Sequence, residues 1–165
     1  MLRSGNTHPP QGRRERMETK VREGAHRRRA PLRETASDLE LAISAPVGTG
    51  PVWRNRVRES LARVQVALKQ HVQDTEGPEG LYGELQNDAP RLSNLVKLLT
   101  KEHIVLKEDI NRALTALEGL PTEIDDECCE DVREAVLTVL GRISRHRQKG
   151  ADLVWRAYSV DIGGE

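Results

Sequence analysis

Three histidines, His71, His103 and His146, stand where the surrounding pattern calls for apolar side chains. His71 is the next position on a stripe running through Trp53, Val57, Leu61, Val64 and Leu68. His103 lies four residues after Leu99 and three before Leu106, and His146 lies three after Ile143 and seven before Leu153. Residues recurring at three- and four-residue steps share one face of a helix. Each imidazole is therefore aimed at the core, from a separate helix. Convergent imidazoles inside a helical bundle, with carboxylates on neighbouring turns, are how such folds build metal sites. Imidazole suits iron, zinc, copper and nickel, and added carboxylate shifts the preference toward iron or manganese. The nearby acids are Glu76 and Glu79 after His71, Glu102 beside His103, and Asp152 six residues after His146. A single histidine on such a face is more often a hydrogen-bonded core residue, and Glu79 and Asp152 read equally well as solvated surface acids.

The elements that must position these groups follow from the same periodicity. Gly50-Pro51 opens the first long helix, since proline at the first helical position is pre-set in φ and Thr49 or Gly50 can cap it. Asp74-Thr75-Glu76-Gly77-Pro78 ends it. Residues 79–87 suggest a brief helix carrying Leu81, Tyr82 and Leu85. A second long helix runs from Pro90 to Gly119 on a stripe of Leu92, Leu95, Val96, Leu99, Leu106, Ile110, Leu114 and Leu117. Leu120-Pro121 turns the chain, and Thr122 with Asp125 resembles a capping box at the start of the last helix. Glu123, Asp125, Asp126, Glu127, Glu130 and Asp131 crowd that start, where negative charge complements the macrodipole. Val132, Val136, Val139, Leu140, Ile143, Leu153, Val154 and Ala157 mark its apolar side. At a rise of ~1.5 Å per residue, His103 lies roughly 24 Å before Gly119 and His146 roughly 28 Å beyond Glu127, so the two meet within about one turn of an antiparallel hairpin. His71 reaches a similar height. The fold class is all-α, an antiparallel up-and-down bundle of three long helices and one short one over residues 50–160.

The chain of 165 residues has no net formal charge, but the charge is unevenly distributed. Residues 1–33 hold ten Lys or Arg against three Glu, a balance of +7, which leaves −7 for the remainder. Residues 1–49, with scattered Pro, Gly and Ser, bury too little apolar surface to offset their ordering entropy and read as a disordered basic arm. The short apolar piece Leu39 to Ile43 could form a turn of helix that docks on the domain, and residues 161–165 read as a flexible tail. No run approaches the ~20 apolar residues of a membrane span. No apolar leader segment opens the chain, and the two adjacent cysteines fit a reducing compartment, so a cytoplasmic location is expected.

At this level the chain resembles the hemerythrin-like, or HHE cation-binding, four-helix bundles. The residues that carry the resemblance are His71 followed by Glu76 in HVQDTE, the Glu102-His103 pair in LLTKEHIVL, and His146 in ISRHRQKGADLV, across roughly Trp53 to Tyr158. The resemblance implies a non-haem iron site, mononuclear or dinuclear, serving oxygen binding, redox sensing or iron handling. It implies His71, His103 and His146 as ligands, with Glu76 and Glu102 as the carboxylates. The family holds its di-iron centre with about five histidines and two carboxylates. This chain departs from that pattern at Thr75, Lys107, Gly150 and Ala151, where further ligands would fall.

Other chemistries find little footing. Cys128-Cys129 lack the paired spacing of a zinc site, although a nearby helix N-terminus could lower a thiol pKa. Gly48-Thr49-Gly50 and Gly77-Pro78-Glu79-Gly80 have no preceding strand and are too short for phosphate loops. No Gly-x-Ser-x-Gly and no dinucleotide fingerprint occurs. With no phenylalanine and two each of Trp and Tyr, no aromatic platform for single-stranded nucleic acid is evident; the basic arm could touch nucleic acid or an acidic surface, but reads first as a solvated tail or as sequence upstream of the native start. Trp53 and Trp155 read as packing residues at helix ends. The metal-binding reading therefore stands beside a second one, a metal-free, non-catalytic helical protein that pairs with a partner or a second copy of itself. An enzyme with bound iron is a third, for which no substrate pocket is legible.

Overall fold

The computed structural model describes residues 31–159, which are mostly helical with no strand among them. Five helices follow one another: α1 (31–44), α2 (Gly50–Glu76), α3 (Leu81–Asp88), α4 (Ser93–Glu118) and α5 (Glu130–Ser159), with a 3-10 turn at Pro90–Leu92 leading into α4. The expected long, short, long, long order of α2 to α5 is present. Pro51 lies in the first turn of α2, where its missing N–H breaks no helical bond.

The segment before residue 50 corrects the expected boundary at 49. Residues 31–44 are helical, and Leu32, Leu39, Ala42, Ile43 and the following Val47 are buried in the same apolar cluster as Trp53, Val57 and Leu61. Disorder follows from composition only when a segment has nothing to pack on. Here α1 packs on a face already formed, and each fully buried Leu or Ile contributes about 1.5–3 kcal/mol. The docking turn expected at Leu39 to Ile43 belongs to this longer helix. Residues 1–30 of the basic arm, with His8 and His26, and the tail at 161–165 lie outside the described residues.

The start of the last helix is a second correction. α5 begins at Glu130, and residues 121–129 form turns and bends. Asp125 accepts a hydrogen bond from the Cys128 backbone N–H at 2.9 Å, and that bond, foremost, holds its carboxyl below the usual range. Arg133 ties the acidic segment to the helix through Asp126 (2.8 Å) and Glu130 (2.9 Å) and lies 5.9 Å over the Trp53 ring. Trp53 packs inside as expected, whereas Trp155 is 60% exposed and is no packing residue.

Cross-helix contacts give the helix directions. Arg91 donates to the Arg156 carbonyl at 3.0 Å, Glu102 meets His146, and Asp109 meets Arg142, so the α5 partner number falls as the α4 number rises. Gln65 with Asn111 and Glu76 with His103 give the same relation between α2 and α4. α4 thus runs antiparallel to both. The apolar interior is split in two. One cluster joins α1, α2 up to Leu68, α4 from Leu106 and α5 up to Ile143. The other joins α3, the 3-10 turn, α4 up to Leu99 and α5 from Leu153. α4 and α5 each leave a gap between the two clusters, filled by His103 and His146, and His71 joins them from the end of the α2 stripe.

Candidate metal centre

Each histidine reaches the seam because its own helix continues an apolar stripe through it. α2 carries His71 one turn beyond Leu68, and a hydrogen bond from Thr75 Oγ1 to the His71 carbonyl (2.8 Å) fills that turn. α2 stays helical as far as Glu76, which keeps that carboxylate on the edge facing α4. The chain then reverses through a tight corner. A Cβ on Gly80 would lie 2.5 Å from the Thr75 carbonyl oxygen, so only glycine lets α3 begin so close to α2. That corner brings Tyr82 flat over His103, with ring centroids 6.0 Å apart and planes 6° from parallel.

The three rings meet through their Nε2 atoms. His146 Nε2 lies 3.0 Å from His103 Nε2 and 3.2 Å from His71 Nε2, and one ligand atom from each of the three lies within 4.8 Å of the others. All three residues are buried, at 5%, 4% and 2% exposure for His71, His103 and His146. The opposite edges of two rings face carboxylates. His103 Nδ1 pairs with Glu76 Oε1, and His146 Nδ1 lies 3.0 Å from Glu102 Oε2. Lys149 donates to the other oxygen of Glu102.

These partners decide where the protons are. An ionised carboxylate only accepts, so His103 and His146 carry a hydrogen on Nδ1. Burial, followed by the neighbouring His103, pushes His146 down to about 4, so at neutral pH it is uncharged and its Nε2 bears a lone pair. Burial raises the Glu102 carboxyl, but hydrogen bonds and charge from Lys149 and His146 more than offset this and hold it below its usual range. One Nε2 lone pair cannot accept two well-aligned hydrogen bonds, yet it faces two ring nitrogens at 3.0 and 3.2 Å. Three nitrogens bound to one ion at ~2.0–2.1 Å would stand about 2.8–3.4 Å apart, the spacing seen on both measured edges.

The structure thus brings His71, His103 and His146 together and sets Glu76 and Glu102 behind the rings. In that place a carboxylate fixes the tautomer and the ring orientation and raises the basicity of the ligating nitrogen. Glu79 and Asp152 are exposed and do not join the group. Gly150 is partly buried on α5, one turn past His146. Lys149 and the stacking role of Tyr82 were not legible as parts of the site. The one available signal was spacing, since Lys149 follows His146 by three residues and so shares its helix edge.

Two other groups were tested by the fold. Cys129 is fully buried, and burial, together with Cys128, pushes its thiol up to about 11, the reverse of the lowered value that a helix N-terminus would produce. Both cysteines precede α5 rather than opening it. Asp109, 2% exposed on α4, pairs with Arg112 (2.9 Å) and with Arg142 of α5, a buried charge within the first apolar cluster. No described helix is long and apolar enough to cross a membrane. No protein-family model, curated protein or solved structure was found to match the chain.

Proposed function

We propose that this protein binds one divalent transition-metal ion through the Nε2 atoms of His71, His103 and His146. The observation that carries the reading is the pair of Nε2 edges at 3.0 and 3.2 Å, with Nδ1 of two rings committed to Glu76 and Glu102. Three neutral nitrogens form a borderline donor set suited to zinc, iron, copper or nickel. The donor set favours one ion over two. The hemerythrin-like di-iron centre that the sequence resembles needs more histidines and carboxylate ligands, and here both carboxylates face Nδ1. We read the chain as a hemerythrin-like, antiparallel up-and-down bundle whose ligand set has contracted to a mononuclear site. Such a site keeps an open position. With iron bound there, oxygen or redox sensing is the chemistry it would support, and storage or handling of the ion is the other.

The residues of the chain have plain tasks. Glu76 and Glu102 hold two rings in the ligating tautomer, Tyr82 covers one face of His103, and the apolar clusters on either side exclude bulk water. The competing reading is a metal-free helical protein, in which hydrogen bonds among the three rings and to Glu76 and Glu102 take the place of the ion. Elemental analysis of protein purified without a histidine tag or chelator separates the two. About one metal per chain, lost in His103→Ala, is expected. Folded protein that stays metal-free after anaerobic loading with iron, and after loading with zinc, would overturn the proposal.

A further inference from the structure

We infer that the protein has a second binding site, for a phosphate group, between Arg33 of α1 and Arg147 of α5. Four arginines among the described residues are half-buried: Arg54, Arg133, Arg142 and Arg147. Three of them donate to an oxygen, Arg54 to the Pro121 carbonyl, Arg133 to Asp126 and Glu130, and Arg142 to Asp109. Arg147 does not. Its Nε is enclosed and meets no acceptor; Nε of Arg54 is enclosed too, but that guanidinium is anchored through another nitrogen. Among the described residues no acid pairs with Arg147 or with Arg33. The charge set beside Arg147 is instead that of Arg33, and burial, followed by this repulsion, holds the Arg147 guanidinium below its usual pKa.

The fold forces the two arginines together. Residues 45–49 return the chain from α1 directly into α2, so α1 runs antiparallel to α2, and its first turn carries Arg33 to the C-terminal half of α5. Successive residues of a helix point about 100° apart, so Arg147 leaves α5 away from His146 and the pair is separate from the three rings. A guanidinium partly out of water with a like charge beside it is costly until an anion compensates it. Charge and shape then select the anion. Two guanidiniums carry two positive charges, and each planar fork takes a pair of oxygens. A phosphate group carries about −1.5 to −2 at neutral pH and presents an oxygen edge to each fork, whereas a carboxylate offsets only one charge. Arg33 is exposed and Arg147 half-buried, so the site opens to solvent. Free and esterified phosphate share this chemistry.

Thermal unfolding of the full, metal-free chain tests this, with sodium chloride replaced by sodium phosphate, or by adenosine monophosphate, at constant ionic strength. A saturable rise of the midpoint is expected with phosphate. Affinity should fall roughly tenfold in Arg33→Met and in Arg147→Met, and Arg147→Lys, which keeps the charge without the fork, should recover only part of it. Without phosphate, Arg147→Met should unfold no earlier than the native chain, because its stem still packs and the uncompensated charge is gone. Tighter binding of the nucleotide assigns the site to an esterified phosphate, and no gain over inorganic phosphate assigns it to the free ion. Phosphate that acts no differently from chloride, or a rise that stays linear as with an excluded salt, would overturn the inference. So would a saturable rise that survives both methionine variants and is lost when Arg27, Arg28 and Arg29 are replaced by serine, since the ion would then sit on the basic arm.

Discussion

The two glutamates behind the imidazoles stand at different depths, Glu102 with a side chain 15% exposed and Glu76 30%. In the proposed site both would act on a ring nitrogen that does not touch the ion, so their loss should weaken binding without removing a ligand. Glu102→Gln and Glu76→Gln are each expected to lower metal affinity about 10–100-fold, measured by competition with a chelator, with the larger effect at the more buried Glu102. Unchanged affinity in both would mean that the carboxylates do not orient the rings. The same residues make the metal-free protein sensitive to acid. The folded value of about 4 for His146 lies below the ~6.5 of an unfolded histidine, so the unfolded chain takes up the proton first. The contribution of the neutral ring to stability is complete above about pH 6.5 and is lost as the pH falls toward 4, on the order of 3 kcal/mol in all. Denaturant unfolding of the metal-free protein across that window measures it. His146→Phe should flatten the dependence.

At the scale of the elements, α1 tests how helices are held on this fold. Its first turns carry Arg33, Glu34, Asp38 and Glu40 at the surface, and only Leu32, Leu39, Ala42 and Ile43 are buried, with Ala36 half-buried beside them. Most of its stability therefore comes from docking, because an isolated helix of this length is marginal in water. Leu39 is completely buried, and Leu39→Ala is expected to cost about 2–4 kcal/mol in denaturant unfolding. A cost below about 0.5 kcal/mol, the range of surface substitutions, would show that α1 does not contribute to the core. α3 has the opposite character. It is eight residues long, yet it buries Leu81, Tyr82 and Leu85, and its place is set by the glycine corner at 77–80.

For the whole molecule, the histidine layer lies between two apolar clusters rather than at an end of one. An ion there would touch α2, α4 and α5 at once and tie the clusters together across the layer where the three Nε2 atoms converge. Metal binding should therefore be read as global stability: at about a hundred times the dissociation constant, a ligand that binds only the folded state adds ~2.7 kcal/mol. Thermal unfolding with and without zinc is expected to show this rise in the native protein and none in His103→Ala. A rise that persists in His103→Ala would place the bound ion elsewhere, for instance on the acidic turn between α4 and α5.

Periodicity by itself determined much of this protein. The stripes of α2, α4 and α5 and the three polar positions on them are local patterns, set by the geometry of one helix and readable without a partner. The stripe of α2 through His71 and that of α5 through His146 are buried along nearly their whole length in the folded chain. Local punctuation also marked most helix ends, at Gly50-Pro51, Gly77-Pro78 and Gly119. Only tertiary structure decided the rest. α1 was hidden because its four inward residues are too sparse to outweigh a basic, proline-bearing composition until a core exists to receive them. The late start of α5 was decided by the Asp125 turn and the ties of Arg133, neither of which is helical periodicity. The division of labour at the site depended on it most. Whether a glutamate beside a histidine ligates an ion or orients a ring depends on which nitrogen it meets. That follows from helix rotation and from a partner on another helix: Glu76 of α2 serves His103 of α4, and Glu102 of α4 serves His146 of α5. Spacing along one chain carries no information about such crossed pairings.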